Sequence, residues 1–146
     1  MDNEITSLEI PNSVETIERI AFRNNHLTSV VIPDSVKFIG ERGFDGNRLR
    51  VIWTDLGNGA ALAELLSVVL THGNNVNTAL GEQDAETIFL IEIGGITNTA
   101  EILFNSDAEF SANIATVLEA NETGKIFRWD NTAENPVWEE VENIDG

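Results

Sequence analysis

The 146-residue chain has no cysteine, which excludes a disulfide, a thiolate nucleophile and any zinc site built on sulfur ligands. Secreted and intracellular chains alike can do without it, so its absence assigns no compartment. Basic side chains are scarce, with 8 Lys and Arg against 25 Asp and Glu and a formal net charge of −17. Such a surface disfavours nucleic acid and anionic membranes, where protein cations must replace counterions. No apolar run is long enough for a membrane span, and the longest tract, Ala60 to Leu70, carries Glu64. The start, Met1-Asp2-Asn3-Glu4, lacks a basic n-region and an apolar h-region, so no classical signal peptide is expected. The chain is expected to be soluble, without membrane insertion.

What is present is enough for a core: 42% of residues are hydrophobic, the ordinary globular share, with room for one domain or two small ones. The charge is spread unevenly. Residues 1–50 hold six basic and eight acidic side chains, a balance of −2, whereas residues 51–146 hold two and seventeen, a balance of −15. That step predicts two units, 1–54 and 55–146.

Shifting the sequence against itself by 22 positions superimposes Ile5-Thr6-Ser7-Leu8-Glu9-Ile10-Pro11-Asn12-Ser13-Val14 on Leu27-Thr28-Ser29-Val30-Val31-Ile32-Pro33-Asp34-Ser35-Val36. The match runs on through Ile17/Ile39, Phe22/Phe44 and Asn25/Asn47, with nine of 22 positions identical. Chance does not explain such a period. Leu49-Arg50-Val51-Ile52 opens a third copy, which breaks at Trp53-Thr54-Asp55 where the Ile-Pro pair should stand. The array is expected to end there.

Each unit has a physical reading. Ile5/Leu8/Ile10 and Leu27/Val30/Ile32 read as short strands, and the following proline, unable to donate to a ladder, closes each one. Val14/Ile17 and Val36/Ile39 supply a second inward line. Phe22 and Phe44 should stack between coils, and Asn25 and Asn47 sit in the turn before the next strand, where amides satisfy backbone groups. Stacked units form a coil with a narrow parallel sheet. The inward residues serve as core, so a binding face has to use outward ones, for which Thr6, Glu9, Thr28 and Val31 are the candidates.

Leu27 through Phe44 closely resembles the unit of BspA-like leucine-rich repeats, roughly L-T-S-V-x-I-P-x-S-V-x-x-I-G-x-x-A-F. It departs mainly at Gly43, and the first copy has Glu18 where glycine is usual. The resemblance covers about a third of the chain, residues 5–52. It implies a surface or secreted protein engaged in adhesion or partner binding, and it brings no catalytic residues.

Beyond Asn58-Gly59 the period changes. Leu62, Leu65, Leu66, Val69 and Leu70 fall at helical spacing, with Asn58 as cap and His72-Gly73 as stop, predicting a helix over about 59–72 that covers the end of the coil. Thr87 to Ile93 is the strongest strand signal. Gly94-Gly95 favours a hairpin into Ile96–Phe104, although Asn98 to Glu101 also has the form of a capping box. A second such box, Ser106 to Glu109, precedes a helix through Phe110, Ile114, Val117 and Leu118 that stops at Asn121–Gly124. Lys125–Asp130 and Val137–Val141 should pair across the turn 131–136, bringing Trp129 against Trp138. The ending, with Thr123 to Trp129 before an acidic terminus, is similar in composition to the tails of type I secreted bacterial proteins. Their calcium-binding Gly-Gly-x-Gly-x-Asp nonapeptides are missing, and Gly94-Gly95-Ile96 does not replace them.

No catalytic arrangement emerges. His26 and His72 are the available imidazoles; His26 stands where the next copy has Arg48, and His72 fits a helix end. Carboxylates are too abundant for any pair to be informative, and Glu139-Glu140-Glu142 reads as a solvated edge that deters aggregation. Asp55, Asn58 and Glu64 lack EF-hand spacing. Gly57-x-Gly59 lacks the third glycine and the clear preceding strand of a dinucleotide loop.

The fold expected is therefore α+β: a short leucine-rich-repeat coil with a narrow parallel sheet, then a small acidic unit of two helices and three to four strands. The function expected is a non-catalytic binding or adhesion module, the C-terminal portion of a repeat array, that binds a protein or surface glycan outside a bacterial cell or on its surface, with a cytoplasmic location open. No cofactor is expected, and weak calcium binding by the acidic half stays open, as does the oligomeric state. The alternatives are an acidic mimic that fills the basic groove of a partner, and a small carboxylate-dependent hydrolase.

Overall fold

The computed structural model describes residues 7–18, 21–40, 43–67, 70–72, 75–77, 83, 86–94, 110–130, 132, 137–142 and 144. The repeats coil as their period requires. Strands β1 (Ser7–Glu9), β3 (Ser29–Val31) and β5 (Val51–Asp55) pair in parallel. Their registers Ser7↔Ser29↔Val51, Leu8↔Val30↔Ile52 and Glu9↔Val31↔Trp53 repeat the 22-residue step. On the far side of each coil, β2 (Thr16–Ile17) pairs in parallel with β4 (Phe38–Ile39).

The third copy does not end the sheet. Lacking the proline that stops β3, β5 runs on to Asp55 and takes β8 (Thr87–Ile93) as a parallel neighbour. Then follow β9 (Thr123–Asp130), antiparallel to β8, and β10 (Trp138–Val141), antiparallel to β9, which closes the order β1-β3-β5-β8-β9-β10. Of the six strands only β9 opposes the rest. The sheet therefore crosses the step in composition without interruption.

Helix α1 (Gly59–Ser67) lies in the crossover from β5 to β8, and α2 (Phe110–Ala120) in the connection from β8 to β9. On one side of the sheet Val30, Ile52, Leu90 and Phe127 join Leu27, Ile32, Phe44 and Leu49 of the coil and Leu62, Ala63 and Leu66 of α1. On the other, Val31, Val51, Trp53, Phe89, Ile91, Ile93 and Ile126 pack with Ile114 and Val117 of α2. With both faces covered, β5 and β8 are buried at every position except their outer ends, Asp55 and Thr87, and carry apolar side chains on both faces, as doubly covered parallel strands do.

Four expectations change. Helix α1 stops at Ser67, and Leu70–His72 instead forms β6, antiparallel to β7 (Asn75–Asn77). The run Val68-Val69-Leu70-Thr71 is rich in β-branched residues, whose χ1 freedom a helix restricts, so His72 sits in a strand and not at a helix end. The Asn58 amide does not cap α1; it donates to Thr54 Oγ1 at 2.8 Å, while the carboxylate of Glu92 receives the N–H of Gly59 at 2.8 Å. A clear strand, β5, does precede Gly57-x-Gly59. Val31 does not face outward: it is 1% exposed, in the layer that holds Ile114 and Val117 of α2. The segment 96–104 and the capping boxes at 98–101 and 106–109 lie outside the described residues, as does most of the turn 131–136.

Candidate binding surface of the repeat coil

Each coil is locked to the next by the residues the repeat preserves. The Phe22 and Phe44 rings stack at 5.5 Å with 17° between their planes. Asn47 Nδ2 donates to the carbonyls of Phe22 at 2.9 Å and Phe44 at 2.7 Å, and its Oδ1 accepts the Leu27 N–H at 3.1 Å. Asn25 Nδ2 donates to Phe22 O at 3.1 Å. Across the coils, Arg23 Nε meets Asp45 Oδ2 at 3.2 Å, joining positions one repeat apart. The corresponding residues Asn24 and Gly46 both take left-handed backbone, with φ of 57° and 75°, as the turn in each coil demands.

One member of this amide ladder escaped the repeat reading. Gln83 Oε1 accepts the Leu49 N–H at 3.0 Å and its Nε2 donates to Phe44 O at 2.6 Å, which continues the role of Asn47 in the third copy. The insertion of α1, β6 and β7 breaks the 22-residue spacing, so only its amide chemistry could have signalled it.

The other feature missed is Glu92. Buried on β8, its carboxylate accepts three backbone N–H groups: Gly57 at 3.1 Å and Lys125 at 3.2 Å on Oε1, and Gly59 at 2.8 Å on Oε2. A β-strand, a glycine-bearing turn and a helix N-terminus form the arrangement that elsewhere receives phosphate. Here the chain's own carboxylate occupies the helix N-terminus. Gly59 and Gly124 make room for it, since a Cβ on either would press on its oxygens.

Of the four residues chosen as an outward face, the structure does not make one surface. Glu9 is exposed, Thr28 is half-buried, Val31 is covered, and Thr6 lies outside the described residues. What remains open to solvent is the first coil, with Glu9, Pro11, Glu15, Glu18, Ala21 and Arg23 exposed. At the turns before the strands, His26 and Arg48 are exposed at equivalent repeat positions. Phe38 is 51% exposed on β4, in register with exposed Thr16. Among the described residues, no group of three or more His, Asp or Glu could hold a metal ion, and no helix is long and apolar enough to cross a membrane.

Parallel strands at a constant step, stacked aromatic and amide rows, and a coil continued by an α/β layer define a leucine-rich-repeat coil sealed at one end. Residues 1–55 match the family model described as BspA type Leucine rich repeat region (6 copies), and the repeats of this chain are of that type. No curated protein and no solved structure matches the chain.

Proposed function

We propose that the chain is a non-catalytic protein-binding module of a secreted or cell-surface bacterial protein, standing at the closing end of a repeat array. Repeat modules generally bind through their exposed surfaces. The observation that carries the reading is asymmetry: α1, α2 and strands β8 to β10 cover the last coil and the sheet, whereas the first coil stays exposed. Because Val31 is buried, the contact surface is assigned to Glu9, to Thr28 and to the neighbouring turns.

The test is to screen the chain against an array of extracellular proteins and glycans, with Glu9→Arg and Thr28→Arg beside the control Glu119→Arg. Binding should fall at least tenfold in the first two and persist in the control. Full retention in both would reject this surface.

The acidic-mimic reading also has an observation in its favour, since Glu122, Asp130, Glu139, Glu140 and Glu142 are all exposed around β9 and β10. It requires steep loss of partner binding with salt, because exposed charges are screened within about 10 Å at 0.1 M ionic strength. Binding through the first coil should change little over that range.

A further inference from the structure

Helix α1 begins on Asn58-Gly59, the only Asn-Gly pair in the sequence. A backbone nitrogen that follows asparagine can attack the side-chain amide, and glycine, with no Cβ, shields its nitrogen least. The nitrogen loses its proton, the N–Cγ bond forms, the Cγ–Nδ2 bond breaks and ammonia leaves. Water then opens the cyclic imide at either carbonyl and gives aspartate or iso-aspartate.

The glycine is fixed by packing, since a Cβ at position 59 would fall 2.7 Å from Glu92 Cγ and 2.8 Å from Phe127 Cε2. The same close approach holds the pair shut. Buried Gly59 donates its N–H to Glu92 Oε2 at 2.8 Å. On the asparagine, the N–H donates to Asp55 O at 3.0 Å, the carbonyl accepts the Leu62 N–H at 2.9 Å, and Nδ2 donates to Thr54 Oγ1 at 2.8 Å. Thr54 Oγ1 in turn donates to Ile32 O at 2.6 Å. For the imide to close, the Gly59 nitrogen must leave Glu92 while the Asn58 side chain leaves Thr54 and turns over its own backbone. Both movements open the first turn of α1. Asn12-Ser13 offers a contrast, with both residues exposed in a turn of the first coil.

We propose that Asn58-Gly59 is a deamidation site latched by the Glu92 carboxylate, reacting only from conformers in which the start of α1 has opened, and that its product hinders re-closing. The acid has no donor for Thr54 Oγ1, whose own proton is committed to Ile32 O. It also adds a negative charge at the turn that the Glu92 carboxylate occupies. Iso-aspartate lengthens the backbone by a methylene where the helix begins. Because Leu62, Ala63 and Leu66 of α1 pack with the coil, the reaction is a one-way loosening of the seal between the coil and the acidic half.

The test incubates the full chain in mildly alkaline buffer, folded and in urea, and follows amide-to-acid conversion at each asparagine by peptide mapping. In urea Asn58 should react faster than Asn12; in the folded chain the order should reverse. Glu92→Gln should speed the reaction at Asn58 about tenfold, because its amide cannot accept at both oxygen positions and local opening at Gly59 becomes easier. Thr54→Val, which removes the acceptor of Asn58 Nδ2, should speed it as well. The two variants act on different bonds, so either one alone decides. Asn47→Ala, at least as destabilising but between the first two coils, should leave the rate at Asn58 unchanged. A folded chain in which Asn58 reacts as fast as in urea, or folded variants that match the parent, overturns the latch. So does a slower reaction in Glu92→Gln, which would make the carboxylate a base for the attack, and so does equal acceleration by Asn47→Ala, which would make global unfolding the route. Asn58→Asp, standing in for the product, should lower the Tm; an unchanged or raised Tm overturns the loosening.

Discussion

Buried polar side chains decide the fine geometry of this molecule. The Glu92 carboxylate ties together the turn before α1, the first residue of that helix and the start of β9. Glu92→Ala strips the acceptor from all three N–H groups and should cost about 3 kcal/mol, because buried Gly59 is left without a partner. Glu92→Gln keeps one acceptor oxygen and should cost roughly half as much. Gly59→Ala places a methyl at 2.7 Å from Glu92 Cγ and 2.8 Å from Phe127 Cε2, an overpacking worth about 1–3 kcal/mol. Urea titration ranks the three; a Glu92→Ala as stable as the parent would show that the carboxylate restrains nothing. Asn47 works in the same way between coils. Asn47→Asp keeps the acceptor for Leu27 N–H but loses the donors to Phe22 and Phe44. Asn47→Ala loses both and should cost about 2–3 kcal/mol, whereas Asn47→Asp, which turns a buried charged oxygen toward two carbonyls, should be the more damaging.

At the scale of elements, the coil is held by a row whose members are unequally buried. Phe44 is fully buried and Phe22 half-buried, so Phe44→Ala should cost about 3–5 kcal/mol for the cavity it opens, whereas Phe22→Ala should cost about 1–2 kcal/mol for partial loss of burial. Equal midpoints in urea would mean that the row does not carry the stacking. This row was legible from the repeat, as were the turn asparagines, the strand at 87–93, and the cross-strand Trp129–Trp138 pair, whose rings lie 5.2 Å apart. Each is specified by neighbours in sequence or by a fixed period. What could not be read depends on partners remote in the chain. Val31 looks outward beside its counterpart Glu9, yet it is 1% exposed, within the apolar cluster that also holds Trp53, Ile91 and Ile114. Gln83 takes over from Asn47 after an inserted helix and hairpin. Glu92 looks like a polar interruption in an apolar strand until α1 brings its N-terminus to it. Within the candidate face it is Val31 alone that the structure removes, since exposure at a repeat position depends on what packs over it from elsewhere in the chain.

For the whole molecule, charge sets the dependence on salt. With 25 acidic against 8 basic side chains, bringing the chain to a compact state gathers like charges, and that self-repulsion opposes folding. Among the described residues, two of the ion pairs that offset it are weak: Arg128–Glu139 spans 3.7 Å and Lys125–Glu140 3.8 Å between exposed or partly exposed side chains, a class of pair that contributes roughly 0–1 kcal/mol, and Arg23–Asp45, at 3.2 Å, has one exposed partner. Salt screens attraction and repulsion alike, but here the repulsive pairs are far more numerous. Raising NaCl from low salt to about 0.5 M, where the Debye length shrinks to a few ångströms, should therefore raise the Tm, in contrast to a fold held by surface ion pairs. Because β5 is paired to β3 on one side and β8 on the other, the gain should appear as one transition moving upward. Calorimetry at several salt concentrations checks both points. A Tm that falls with salt would mean that local ion pairs outweigh the net charge, and two transitions separating with salt would mean that the repeat coil and the acidic layer unfold independently despite their shared sheet.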